Sequence, residues 1–131
     1  MEMSQFRPAV LVASVLVMSA CGPDGPLTVD TIQLGRSLNP DNSVAAHTSV
    51  FKPNETVYVA VLTPAPGAGT IGVRWIYQGK VIDEPQRPVS YREARATEFH
   101  LVNSGGFPPG AYSVEVFIDG KQVGSRSFKV E

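Results

Sequence analysis

From Thr28 onward the chain is written in alternation, and no stretch holds apolar residues at helical spacing. Successive side chains on an extended backbone point to opposite faces, so a period of two reads as strand. Thr28 to Leu34 reads as a first strand. Gly35 to Thr48 is polar and turn-rich, with Asn39-Pro40-Asp41-Asn42-Ser43 at its centre, and reads as a loop. In Thr56 to Thr63, Val57, Val59 and Val61 share one face while Tyr58, Ala60 and Leu62 share the other. Both faces are apolar, which suits a central strand. Pro64 to Gly69 breaks it. Thr70 to Gln78 places Ile71, Val73, Trp75 and Tyr77 together, and Gln78-Gly79 turns the chain into a short strand at Lys80 to Ile82. Asp83 to Arg95 is a second polar stretch, holding Pro85 and Pro88. Ala96 to Val102 reads as strand, Asn103 to Gly110 must turn, and Ala111 to Ile118 aligns Tyr112, Val114, Val116 and Ile118. Asp119-Gly120 is a two-residue hairpin signal, because both central positions need positive φ. The last strand runs from about Gln122 to Val130. About seven short strands at this spacing predict an all-β fold, an antiparallel sandwich over residues 28–131.

The residues ahead of the sandwich have a different grammar. Residues 1–20 have the three parts of an export signal, with Arg7 as the basic side chain and an apolar run from Ala9 to Met18. That run is too short to cross a hydrocarbon core, which needs about 20 residues. A start at Met3 would remove Glu2 and make the leading segment cleanly positive. The single cysteine, Cys21, follows Met18-Ser19-Ala20. Residues 22–27, rich in Gly and Pro, form a tether of at most ~20 Å.

Met18-Ser19-Ala20-Cys21 resembles the lipobox of bacterial lipoproteins, with methionine where leucine is usual. The resemblance implies a helical signal peptide over 1–20, cleavage before Cys21 and acyl chains on Cys21. Two or three chains hold a protein stably where one is marginal. Gly22, rather than aspartate, after the cysteine implies the outer membrane if the host is Gram-negative. With Cys21 lipidated, the remaining domain has no thiol and no disulfide.

A second resemblance covers roughly residues 28–131. Phe107-Pro108-Pro109-Gly110-Ala111-Tyr112-Ser113-Val114-Glu115-Val116, followed by Asp119-Gly120 and Phe128-Lys129-Val130, resembles the closing hairpin of bacterial immunoglobulin-like and fibronectin-III-like domains. The resemblance implies that the Tyr112 hydroxyl ties the preceding corner and that Trp75 is the core tryptophan. The inter-sheet cysteines of antibody domains are absent.

Candidate sites are few. Gly67-Ala68-Gly69-Thr70-Ile71-Gly72 spells G-x-G-x-x-G, but a dinucleotide site needs that run to open a helix. Here it leads into a β-rich run, so it reads as a flexible inter-strand loop and no cofactor is expected. Trp75 and Tyr77 could stack on a sugar, though Trp75 reads as core and Tyr77 and Tyr91 as the better candidates for exposed aromatics. His47 and His100 lack neighbours that would complete a metal site, and His100 alternates onto the solvent side. Asp83-Glu84 lies in a turn and does not bracket a substrate. Asn54-Glu55-Thr56 fits the glycosylation sequon, which a bacterial lipobox sets aside. Arg87, Arg92 and Arg95, with Tyr91 among them, form a local basic and aromatic cluster. Arg and Tyr are enriched at interaction hot spots, so these four residues are the candidate interface. Glu84, Glu93 and Glu98 interleave with them, as on a solvated strand edge.

The formal net charge is −1, with no basic stretch, which argues against nucleic acid as a partner. The expectation is a lipid-anchored, non-catalytic envelope module, tethered through Cys21, that binds another protein. The alternative is a module that binds carbohydrate or peptidoglycan.

Overall fold

A computed structural model describes residues 25–131. The signal peptide over 1–20, Cys21 and the first part of the tether lie outside the described residues. Nine strands follow one another: β1 (Thr31–Gly35), β2 (Val50–Phe51), β3 (Val57–Thr63), β4 (Gly67–Tyr77), β5 (Lys80–Asp83), β6 (Gln86–Tyr91), β7 (Arg95–Leu101), β8 (Gly110–Ile118) and β9 (Lys121–Val130). They form two sheets. One has the order β1-β3-β7; the other has the order β2-β9-β8-β4-β5, with β6 paired to β4. All pairs are antiparallel except β2 with β9. The all-β sandwich read from the sequence is the fold.

The alternating residues face inward as expected. Val57, Val59 and Val61 from one sheet meet Ile71, Val73, Trp75, Val114 and Val116 from the other, and all are at most 2% exposed. Around Trp75 the core is aromatic. Phe128 stands edge-on to both Trp75 and Phe51, with ring centroids 6.2 and 5.4 Å away, and stacks on Tyr112 at 5.2 Å. The Tyr112 hydroxyl donates to the Pro108 carbonyl oxygen at 2.7 Å, closing the corner ahead of β8. Both hairpin turns take the mirror-image form that matches strand twist: φ is 49° and 81° at Gln78-Gly79, and 51° and 83° at Asp119-Gly120.

Three sequence expectations change. β4 starts at Gly67 rather than Thr70, so the glycine-rich run is strand and not a flexible loop. Its partner is β6, which lies inside the polar stretch expected to be irregular. Only Val89 and Tyr91 of β6 pack against the core, and only half-buried, so its inward stripe is two residues long, and Pro88 is tolerated because the strand lies at an edge. β2 is the third change. It lies parallel to the end of β9, so the chain leaves β1 in one sheet and reaches the other through residues 36–49. That connection folds back over the outer face of the smaller sheet, where the Val44 amide donates to Gln33 Oε1 at 2.9 Å and Val44 is 3% exposed.

The entry of the chain is fixed. Leu27 is 5% exposed within the core. Pro26 bridges Ala68 in parallel, and the Ala68 amide donates to the Gly25 carbonyl oxygen at 3.3 Å. The approach is close enough that a Cβ at Gly67 would stand 3.0 Å from the Pro26 oxygen.

Candidate functional site

β6 and β7 belong to different sheets, and the expected interface cluster is where they meet. Arg87 reaches from β6 to the edge of β7, where its Nη1 donates to the Glu98 carbonyl oxygen at 2.9 Å. Its guanidinium lies 4.4 Å from the centroid of the Phe99 ring. The Tyr91 hydroxyl and Thr97 Oγ1 are 2.6 Å apart. Arg95 lies 5.4 Å from the Tyr91 ring centroid, and its Nε is 3.8 Å from Glu93 Oε2. Arg92 is exposed in the connection between the strands. The four residues are neighbours, as their spacing suggested. Arg87 and Tyr91, however, join the sheets: one covers an open strand edge, the other satisfies a buried hydroxyl. Tyr91 is half-buried rather than exposed.

A second surface lies on the outer face of the larger sheet. A groove of about 510 Å³ runs past Gly72, Arg74, Gln86, Phe117 and Asp119. Arg74 crosses it, with Nε 2.7 Å from Glu84 Oε2, Nη1 3.3 Å from Glu115 Oε1, and the guanidinium 4.6 Å from the Phe117 ring centroid. The hydrogen bond that Arg74 donates to Glu84 does most to push the Arg74 pKa further up, against a smaller opposing effect of burial. Asp119 is tied to β4, since its Oδ1 accepts the Thr70 amide at 2.9 Å. These polar groups answer one another, and none pairs a nucleophile with a base.

The third surface is at the end of the sandwich away from Pro26. A groove of about 290 Å³ is lined by Tyr77, Ile82, Val102, Phe107 and Pro108 among others. Ile82 is 44% exposed and Val102 63%. Tyr77 is half-buried here, against the expectation of exposure. Its ring lies 4.5 Å from that of Tyr112, and its hydroxyl donates to the Pro109 carbonyl oxygen at 3.0 Å. Sequence reasoning missed this patch because Ile82 and Val102 each sit in a run that reads as ordinary strand, and only the fold brings them to one groove.

The remaining candidates are separate. Trp75 is fully buried and unavailable to a ligand. His100 is exposed, with Nδ1 3.1 Å from Glu98 Oε1, and His47 is exposed on the connection between β1 and β2. Asp83, expected in a turn, ends β5 opposite Trp75, and its Oδ1 accepts the amide of Glu84 at 3.0 Å. Among the described residues, no group of three or more His, Cys, Asp or Glu could hold a metal ion.

No protein-family model matches the chain, and no curated protein matches it in sequence. Solved structures match it in shape. An immunoglobulin-like protein from Pseudomonas aeruginosa is similar over 82% of this chain and 98% of its own, at 12% identity and a TM-score of 0.55. A β-glucosidase from Listeria innocua, solved with glucose, is similar over 76% of this chain and 16% of its own, at 15% identity and a TM-score of 0.46. A CARDB domain from Pyrococcus furiosus, solved with di-metal ions, is similar over 82% and 92%, at 12% identity and a TM-score of 0.37. The first of these shows an immunoglobulin-like sandwich, and at such identities the likeness stops at the fold.

Proposed function

We propose that the chain is a non-catalytic binding module, held at a bacterial envelope membrane by acyl chains on Cys21, whose partner is another protein. The observation that carries the binding surface is the pair Ile82 and Val102, 44% and 63% exposed at the lip of one apolar groove. Large apolar side chains gathered at a groove are a common form of protein contact, and singly scattered ones are not. The Arg87, Tyr91, Arg92 and Arg95 cluster is the less favoured surface, because two of its members are engaged within the sandwich. A glycan-binding role has lost Trp75 to the core and has only a half-buried, hydrogen-bonded Tyr77 in its place. The outer membrane is the proposed address in a Gram-negative host, from Gly22.

A photo-crosslinking side chain at Val102 should give a discrete protein adduct in envelope membranes. Ile82→Asp should abolish that adduct while leaving the circular dichroism spectrum intact. No adduct, together with retention on a peptidoglycan column, would overturn the reading in favour of a glycan. Mass spectrometry of the mature N-terminus tests the anchor, and an unmodified Cys21 thiol would sink it.

A further inference from the structure

We infer that the domain stands on the bilayer by one defined end, with the tips at Pro64-Ala65-Pro66, Arg92–Ala94 and Asp119-Gly120 against lipid headgroups. The inference rests on the acylated Cys21 proposed above. It comes from how firmly Gly25, Pro26 and Leu27 are held at one end of β4. Gly25 and Pro26 are bonded along the first residues of β4, and Leu27 is in the core. The free reach from Cys21 therefore ends at Gly25, four residues on, and is about 14 Å at full extension. This is shorter than the whole six-residue tether suggests.

The register identifies which loops share that end. β4 starts at Gly67, directly after Pro64-Ala65-Pro66. Tyr91, the last residue of β6, is the partner of Gly67, so the Arg92–Ala94 connection leaves from the same level. The Asp119 amide donates to the Thr70 carbonyl oxygen at 2.8 Å, so the turn between β8 and β9 projects there too. The groove at Ile82 and Val102 lies near the other end of β4. The 11 residues of that strand span about 33 Å. A tether of about 14 Å fixed to one end keeps the far end away from the bilayer unless the domain lies on its side.

The near end suits a headgroup layer. Pro64, Ala65 and Pro66 are exposed and uncharged. The two prolines have no amide N–H to strip of water, which lowers the cost of contact. Arg92 and Lys121, both exposed, flank the tips and suit anionic phosphates, while the two acids at these tips are engaged, Glu93 lying 3.8 Å from Arg95 and Asp119 accepting the Thr70 amide.

The test uses the full lipidated protein, reconstituted into vesicles of phosphatidylethanolamine and phosphatidylglycerol. With Cys21 acylated, an introduced cysteine is the only thiol. A fluorophore is placed in turn on Ala65→Cys at the near end, Ser125→Cys about two-thirds of the way up the outer sheet face, and Ser104→Cys at the far end. Ser125 pairs with Glu115, which pairs with Arg74, and this sets its height. Lipids carrying a nitroxide on the headgroup then act as quencher. Ala65 should lose most of its fluorescence, and Ser125 and Ser104 should retain theirs. Equal quenching at all three sites, or quenching at Ser125 with Ala65 spared, overturns the upright orientation. Protein that fails to float with the vesicles overturns the anchor instead, so the two failures are distinguishable.

Discussion

The contact between Tyr91 and Thr97 can be removed almost without changing shape, which makes it a clean test of whether the β6–β7 cluster is structural. Tyr91→Phe deletes one hydroxyl. The bond it makes is 2.6 Å long, and its partner Thr97 is 2% exposed. The net worth of such a bond is about 1 kcal/mol, and stranding a buried hydroxyl adds about 1 to 3. Tyr91 is half-buried, so the lower part of that range applies, and the expected loss is about 2 kcal/mol. In a domain of this size that lowers Tm by on the order of 10 °C. Thr97→Val removes the stranded group. Alone it should cost less than about 1 kcal/mol, since the Tyr91 hydroxyl retains access to water. Introduced into Tyr91→Phe, it should restore most of the stability, giving a coupling of about 1 to 2 kcal/mol. The assay is urea and thermal unfolding of residues 22–131 across the four-member cycle. The reasoning fails if Tyr91→Phe lies within about 0.3 kcal/mol of the parent, or if the two changes simply add. Tyr91 would then be spare, as an interface residue should be.

Other expectations follow from the same geometry. Arg87→Ala should expose Phe99 and the edge of β7, seen as faster hydrogen exchange at β7 amides with an unchanged fold. Gly35→Val should be among the most damaging single changes, because a Cβ there would lie 2.2 Å from the Ala46 carbonyl oxygen and 2.3 Å from Val44 Cγ1. The covering connection between β1 and β2 would have to lift, and limited proteolysis between residues 36 and 48 should reveal it. Burial, and to a lesser degree the neighbouring Tyr77, pushes the Tyr112 pKa up from its ordinary value. A tyrosine pKa higher in the folded state means stability is full below the unfolded value of about 10 and falls as pH rises through it towards the folded value. Tyr112→Phe should flatten that alkaline limb while losing about 1 kcal/mol at neutral pH.

The strands that were legible are those whose burial is one-sided or complete. Val57-Val59-Val61, Ile71-Val73-Trp75 and Tyr112-Val114-Val116 announce themselves because both sheets turn those positions into one core. The two tight turns were legible from Gln78-Gly79 and Asp119-Gly120, since few residues accept positive φ. β6 was hidden because its alternation is confined to Val89 and Tyr91, after an exposed stretch holding Pro88, and β2 because two residues in parallel pairing leave no pattern. Gly67 and Gly69 read as a breaker in isolation, yet Gly67 is small because the entering chain lies against it. Arg87, Tyr91, Arg92 and Arg95 are neighbours in the fold, and Tyr91, expected to be exposed, is half-buried because its partner Thr97 lies in another sheet. The apolar lip at Ile82 and Val102 exists only in three dimensions.

The parallel pairing of β2 with the end of β9 also sets an order of events. Phe51 is in register with Val130, the last strand residue of the described fold. A chain emerging from its N-terminus makes β2 long before β9, so Phe51 has no sheet to join until nearly all the rest has appeared. Contacts so distant in sequence form slowly. Until then both the strand switch and the aromatic cluster around Phe128 remain open. The larger sheet closes at this edge only when Phe51 meets Val130.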